Sequence, residues 1–151
     1  MSVWKRAILP KPLLHDTMRA AGFHWHLSFD DNGDTFETGE QFLLAFDLFV
    51  NLPSVIEEPY SERKKYYGQP SEFRIGKSYN GVEARSLSGF WINKAGIVWD
   101  RVMLSIDWVN KGNIIDTEKD IDIYNAILNN DKDLALKTIN KYKNEYSNIS
   151  W

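Results

Sequence analysis

The side chains best suited to chemistry in this chain are three histidines, several paired acids and one basic run beside tyrosines. His24-x-His26 on an extended segment puts two imidazoles on one face, a spacing that metals use. A third ligand of fixed spacing is missing, because His15 belongs to a different element. The more economical expectation is two exposed histidines on a polar strand face. Asp30-x-Asn32-x-Asp34 begins like a calcium loop, but the sixth and twelfth positions, which require Gly and Glu, hold Thr35 and Gln41. Asp116-x-Glu118-x-Asp120-x-Asp122 fails in the same way, with Ile121 and Ile127 there. A hairpin turn and a capped helix start account for these two runs. The pairs Asp30-Asp31 and Glu57-Glu58 could in principle work as acid and base, yet adjacent acids commonly form solvated surface. Neither a nucleophile elbow nor a glycine-rich phosphate loop is present. The sequence therefore assigns no catalytic residue, no metal ligand and no cofactor.

Ser61-Glu-Arg-Lys-Lys-Tyr-Tyr67 is the one basic run with adjacent aromatics, a combination able to follow a phosphate backbone. It is short, and acids precede it. A net charge of −3 lacks the broad positive field that drives nucleic-acid binding, so direct nucleic-acid binding is not expected. Residues 20–62 carry nine of the 21 acids and none of the 18 bases. Asp30, Asp31, Asp34, Glu37, Glu57, Glu58 and Glu62, with Tyr60 as an aromatic anchor, form the candidate partner-binding surface. Such a field suits a basic protein partner, because complementary charge speeds association. Solubility alone also explains an acidic face.

The elements that must position these residues follow from pattern. Residues 3–9 read as a short strand, and Pro12 opens a helix through Leu13, Leu14, Thr17, Met18 and Ala21. Phe23 to Phe29 alternates apolar and polar side chains, the signature of a strand with one buried face. Asn32-Gly33 signals a hairpin turn, with Thr35 to Thr38 as the return strand. Phe42 to Leu52 is apolar on nearly every side. It fits either period, and the surrounding hairpin logic favours a strand. From Phe73 the chain reads as a meander: Phe73 to Ser78, a turn at Asn80-Gly81, Val82 to Asn93 broken near Ser88-Gly89, then Ile97 to Val109, rich in β-branched residues. A short Asn113 to Ile115 run follows. Asp116 and Asp131 are N-caps for two helices, carrying Ile121, Tyr124, Ile127 and Leu128 in the first, and Ala135, Ile139, Tyr142 and Tyr146 in the second. The expected class is α+β: a single domain spanning 1–151, with an antiparallel sheet, an N-terminal helix and a C-terminal helical hairpin packed on the sheet.

The absence of cysteine removes disulfide frameworks, thiolate zinc sites and a Cys nucleophile. The first residues are too short in apolar length for a signal sequence. No uncharged apolar window approaches the roughly 18 residues that span a bilayer. A soluble, cytoplasmic, mildly acidic protein is the expectation, with no membrane partner.

In these features the chain resembles bacterial toxin-immunity proteins of contact-dependent growth inhibition and related polymorphic-toxin systems. The resemblance is one of type: a small α+β chain without cysteine, with an acidic aromatic patch and no catalytic motif. It implies a cytosolic protein that binds a cognate toxin domain, often a basic nuclease, and occludes its active site or substrate surface. The alternative expectation is a small enzyme, or a sugar- or nucleotide-binding protein, with a cleft lined by Trp and His. That alternative requires an exposed pocket that holds His24 or His26 beside an acid. A third reading is an adaptor working through the C-terminal helices.

Overall fold

The computed structural model describes residues 22–29, 35–60, 63, 67–76 and 78–147. The expected N-terminal strand and helix, the 30–34 turn, and most of the basic run at 61–66 lie outside the described residues. The class is α+β, built on a three-stranded antiparallel sheet with strand order β1-β3-β2. The strands are β1 (Gly22–Ser28), β2 (Phe73–Ile75) and β3 (Gly81–Ser88). The alternation in β1 works as its pattern predicts. Phe23, Trp25 and Leu27 join an apolar cluster on the inner face, and His24 and His26 take the other side. β1 does not fold back on residues 35–38. It pairs with β3, where Leu27 stands opposite Val82, and Thr35 instead opens a helix.

The helix α1 (Thr35–Phe46) runs without interruption into a π-helical turn, Asp47–Asn51, and then into α2 (Leu52–Glu57). The strand expected over Phe42 to Leu52 is therefore helical. Every residue from Phe42 to Leu52 is buried. One side, with Phe42, Leu43, Phe46 and Val50, packs toward the sheet cluster. The other, with Leu44, Ala45, Leu48, Phe49 and Leu52, packs toward the remaining helices. A helix apolar all round is what a fully enclosed position requires.

The second correction concerns Ile97 to Val109, expected as a strand. It forms α3 (Ala95–Asn110). Val98, Val102, Ser105 and Trp108 are its buried residues, a spacing of three and four that outweighs the β-propensity of its branched side chains. Before it, β3 ends at Ser88, whose hydroxyl accepts from Phe90 N at 3.2 Å and caps a 3₁₀ turn, Gly89–Lys94. The Asn113 to Ile115 run forms no strand. Ile115 is buried, and its N–H donates to Gln41 Oε1 at 3.2 Å.

The C-terminal hairpin consists of α4 (Ile121–Asn129) and α5 (Lys132–Glu145). Asn130 is left-handed at φ 51° and ends α4. Asp131 accepts from Leu134 N at 2.9 Å and caps α5. Asp116 accepts from the N–H groups of Glu118 and Lys119 at 3.0 and 3.3 Å, in the turn that precedes α4. Ile123, Ile127, Ala135, Ile139 and Tyr142 share a cluster with Leu48, Phe49 and Trp108. The central α1–α2 segment thus stands between this hairpin and the sheet. Among the described residues, no helix is long and apolar enough to cross a membrane.

Candidate functional site

Of the acids that sequence singles out, Glu37, Glu57 and Glu58 are among the described residues. Asp30, Asp31, Asp34 and Glu62 lie outside them. Glu37 falls in the first turn of α1. Glu57, at the end of α2, is ion-paired with Arg101 of α3. Glu58 is a correction: it is 8% exposed, and its Oε2 accepts from the indole Nε1 of fully buried Trp91 at 3.1 Å. Its carboxylate belongs to the interior, so it is unavailable to a partner. Tyr60 is 65% exposed.

Near Glu57 a groove of about 240 Å³ separates α2, α3 and α5. Phe49, Ile56, Leu104 and Ile139 line it, and Arg101 and Lys143 stand among its polar residues.

A denser polar constellation occupies the outer face of the sheet. His24 Nδ1 lies 2.9 Å from Glu83 Oε1 on the neighbouring strand. An ionised carboxylate only accepts, so Nδ1 carries the hydrogen and Nε2 keeps its lone pair. The Tyr67 hydroxyl sits 2.8 Å from that Nε2 and donates to it. Burial lowers the His24 pKa, the Arg85 charge lowers it further, and Glu83 opposes both. The imidazole is therefore held neutral, as a proton acceptor needs.

Three guanidinium groups surround this chain of hydrogen bonds. Arg63 and Arg85 lie over the Tyr67 ring, 4.6 and 5.3 Å from its centroid. Arg85 Nε is 3.5 Å from Glu83 Oε1, and Arg74 Nη1 is 3.9 Å from Oε2. Arg74 is open to solvent, with its side chain 57% exposed. Arg63 reaches the sheet by donating to the carbonyls of Ser86 and Leu87 at 3.2 and 2.9 Å. Burial lowers the Arg63 pKa, against the opposing charges of Glu58, Tyr67 and Glu72.

Local geometry explains how residues so far apart in sequence meet. The register of β1 against β3 shifts between Phe23 and Trp25, which pair with Leu87 and Ala84. Arg85 and Ser86 therefore stand across from His24 alone. A bulge re-aims side chains: here Arg85 turns outward onto Tyr67 and Ser86 inward onto Asn51, at 2.8 Å. The turn after Tyr67 is fastened by Glu72, whose Oε2 accepts from the N–H groups of Gly68 and Gln69. Gly68 adopts φ 81°, and a Cβ there would sit 2.5 Å from Ser86 O. Only glycine lets the turn approach the strand so closely.

His24 and His26 turn to different partners, His26 Nδ1 standing 3.0 Å from the Tyr79 hydroxyl. Among the described residues, no group of three His, Asp or Glu is arranged to hold a metal ion. Sequence reasoning located His24, and located Arg63 and Tyr67 within the basic run. It passed over Glu83, Arg74 and Arg85. The alternation of Glu83 and Arg85 with Val82 and Ala84 on β3 was the available signal.

Comparisons of the chain with protein-family models, with curated proteins and with solved structures find no match.

Proposed function

We propose that the outer face of the sheet binds a phosphate-bearing small molecule, a nucleotide or sugar phosphate, with the Tyr67 hydroxyl passing a proton to His24. The chain on this reading is a small enzyme or nucleotide-binding protein. One observation carries it: the Glu83–His24–Tyr67 hydrogen-bonded chain lies among the guanidinium groups of Arg63, Arg74 and Arg85. Guanidinium groups match phosphate oxygens in geometry as well as charge. A neutral imidazole with a fixed tautomer is suited to accept a proton beside them. Calorimetric titration with inorganic phosphate, pyrophosphate and a nucleoside triphosphate tests the reading. Binding that Arg85→Ala weakens by about tenfold or more is expected, the scale of one lost charge-assisted hydrogen bond. Millimolar probes that give no binding, or affinity indifferent to Arg85→Ala, would sink it.

The groove beside Glu57 favours a second reading, an immunity-type inhibitor that captures a toxin domain. An apolar floor with charged residues and a nearby exposed tyrosine has the composition of a protein interface. In this role Glu57 and Tyr60 touch the toxin. The test is the affinity for a toxin domain encoded by the adjoining gene. Glu57→Lys with Tyr60→Ala should weaken that complex, and an unchanged affinity rejects this surface.

A further inference from the structure

Beneath the outer-face cluster, on the opposite side of the sheet, lies a second polar network that sequence analysis did not single out. Asp47 opens the π-helical turn and is fully buried. Among the donors to its carboxylate are three from Asn51 and Ser71. Asn51 Nδ2 and the Ser71 N–H reach Oδ1 at 2.6 and 3.0 Å, and the Ser71 hydroxyl reaches Oδ2 at 2.6 Å. Asn51 Oδ1 in turn accepts from Ser86 Oγ at 2.8 Å. Asn51, Ser71 and Ser86 are all buried.

The two arms of this network end on the two walls of the outer-face cluster. Through Ser71, held in the left-handed region at φ 49°, Asp47 anchors the turn that follows Tyr67. The next residue, Glu72, clasps Gly68 and Gln69 and accepts from Arg85 N through its carbonyl at 2.8 Å. Through Asn51 and Ser86, Asp47 anchors β3 at its bulge, where the Ser86 carbonyl receives Arg63. A single buried carboxylate thus links the segment carrying Tyr67 to the strand carrying Arg85. A buried charge is costly unless fully hydrogen-bonded, and an amide at this position would turn N–H groups toward donors. Asp47 and Asn51, four residues apart, stand side by side on the π-helical turn, and such turns occur frequently at functional sites.

We infer that Asp47 is a positioning residue for the outer-face site, fixing the spacing of Tyr67 and Arg63 against His24 and Arg85 through Ser71 and through Asn51–Ser86. This inference rests on the phosphate-binding reading. Its test is a double-mutant cycle on the full chain, at a temperature where circular dichroism shows every variant folded. Affinity for inorganic pyrophosphate and for a nucleoside triphosphate is measured for wild type, Asp47→Asn, Arg85→Ala and the double variant. The pH titration of the His24 imidazole is followed by NMR alongside. Asp47→Asn should lower affinity by about tenfold, the double variant should lose less than the product of the two single losses, and the His24 titration should shift as Tyr67 loosens. Ser71→Ala, a milder change that removes one of these donors, should move both readouts the same way to a smaller extent, and it stands in should Asp47→Asn fail to fold. If the wild type binds neither probe, or Arg85→Ala is silent, the phosphate reading fails and the inference with it. If the wild type binds and Arg85→Ala weakens it, while the folded Asp47 or Ser71 variants keep wild-type affinity and titration, the positioning role alone is overturned.

Discussion

His24 Nε2 and the Tyr67 hydroxyl meet at 2.8 Å across 43 residues of sequence. That contact closes the segment after α2 onto the outer face of the sheet. Tyr67→Phe removes the donor and leaves the ring between its two guanidinium groups. The expected loss is about 1 kcal/mol of stability, typical of one hydrogen bond. Chemical denaturation of the two proteins measures it. An unchanged midpoint would mean that water replaces the phenol without loss.

Acidification should weaken the fold through His24. Its pKa lies below the ordinary value because of burial first and the Arg85 charge second. The unfolded chain therefore takes up this proton before the folded chain does. The contribution of His24 is complete above its unfolded pKa of about 6.5 and is lost as pH falls from there toward the folded value. A decline in Tm as the pH falls below about 6.5 is expected, and His24→Gln should flatten it. A slope identical in the variant would remove His24 from the account.

Gly68 should resist substitution. Its φ of 81° and the 2.5 Å separation from Ser86 O leave no room for Cβ. Gly68→Ala is expected to cost at least about 1–3 kcal/mol through backbone strain. Gly112, at φ 74° with open space around it, supplies the control. Gly112→Ala meets the φ penalty without the clash, so its melting temperature should fall less.

Glu58 should behave as a core residue. Glu58→Ala strands the Trp91 indole N–H in a buried site and should cost about 1–3 kcal/mol. Glu58→Gln keeps an acceptor at the same reach and should recover most of that. Equal losses for the two variants would mean that the carboxylate charge, through its interaction with Arg63, matters more than the bond to Trp91.

Several features are legible before any folding is considered, because they depend on neighbours in sequence. The alternation of Phe23 to Phe29 is enough to put His24 and His26 opposite the apolar face of β1. Asp131 caps α5, and the left-handed Asn130 ends α4, through contacts three or four residues long. The tertiary structure decided what lacks such local asymmetry. Phe42 to Leu52 is apolar on nearly every side and satisfies both periods. Its enclosure between a sheet cluster and a helix cluster makes it a helix. Ile97 to Val109 carries β-branched residues but buries Val98 and Val102 at helical spacing in the sheet cluster, and sets Trp108 against Phe49 and Tyr142. The outer-face cluster is the extreme case. Glu83 and Arg85 are ordinary polar residues of a strand until pairing with β1 sets Glu83 beside His24 and the bulge sets Arg85 on Tyr67. The carboxylate that braces them belongs to a helical turn whose role exists only once Ser71 and Ser86 have been brought to it.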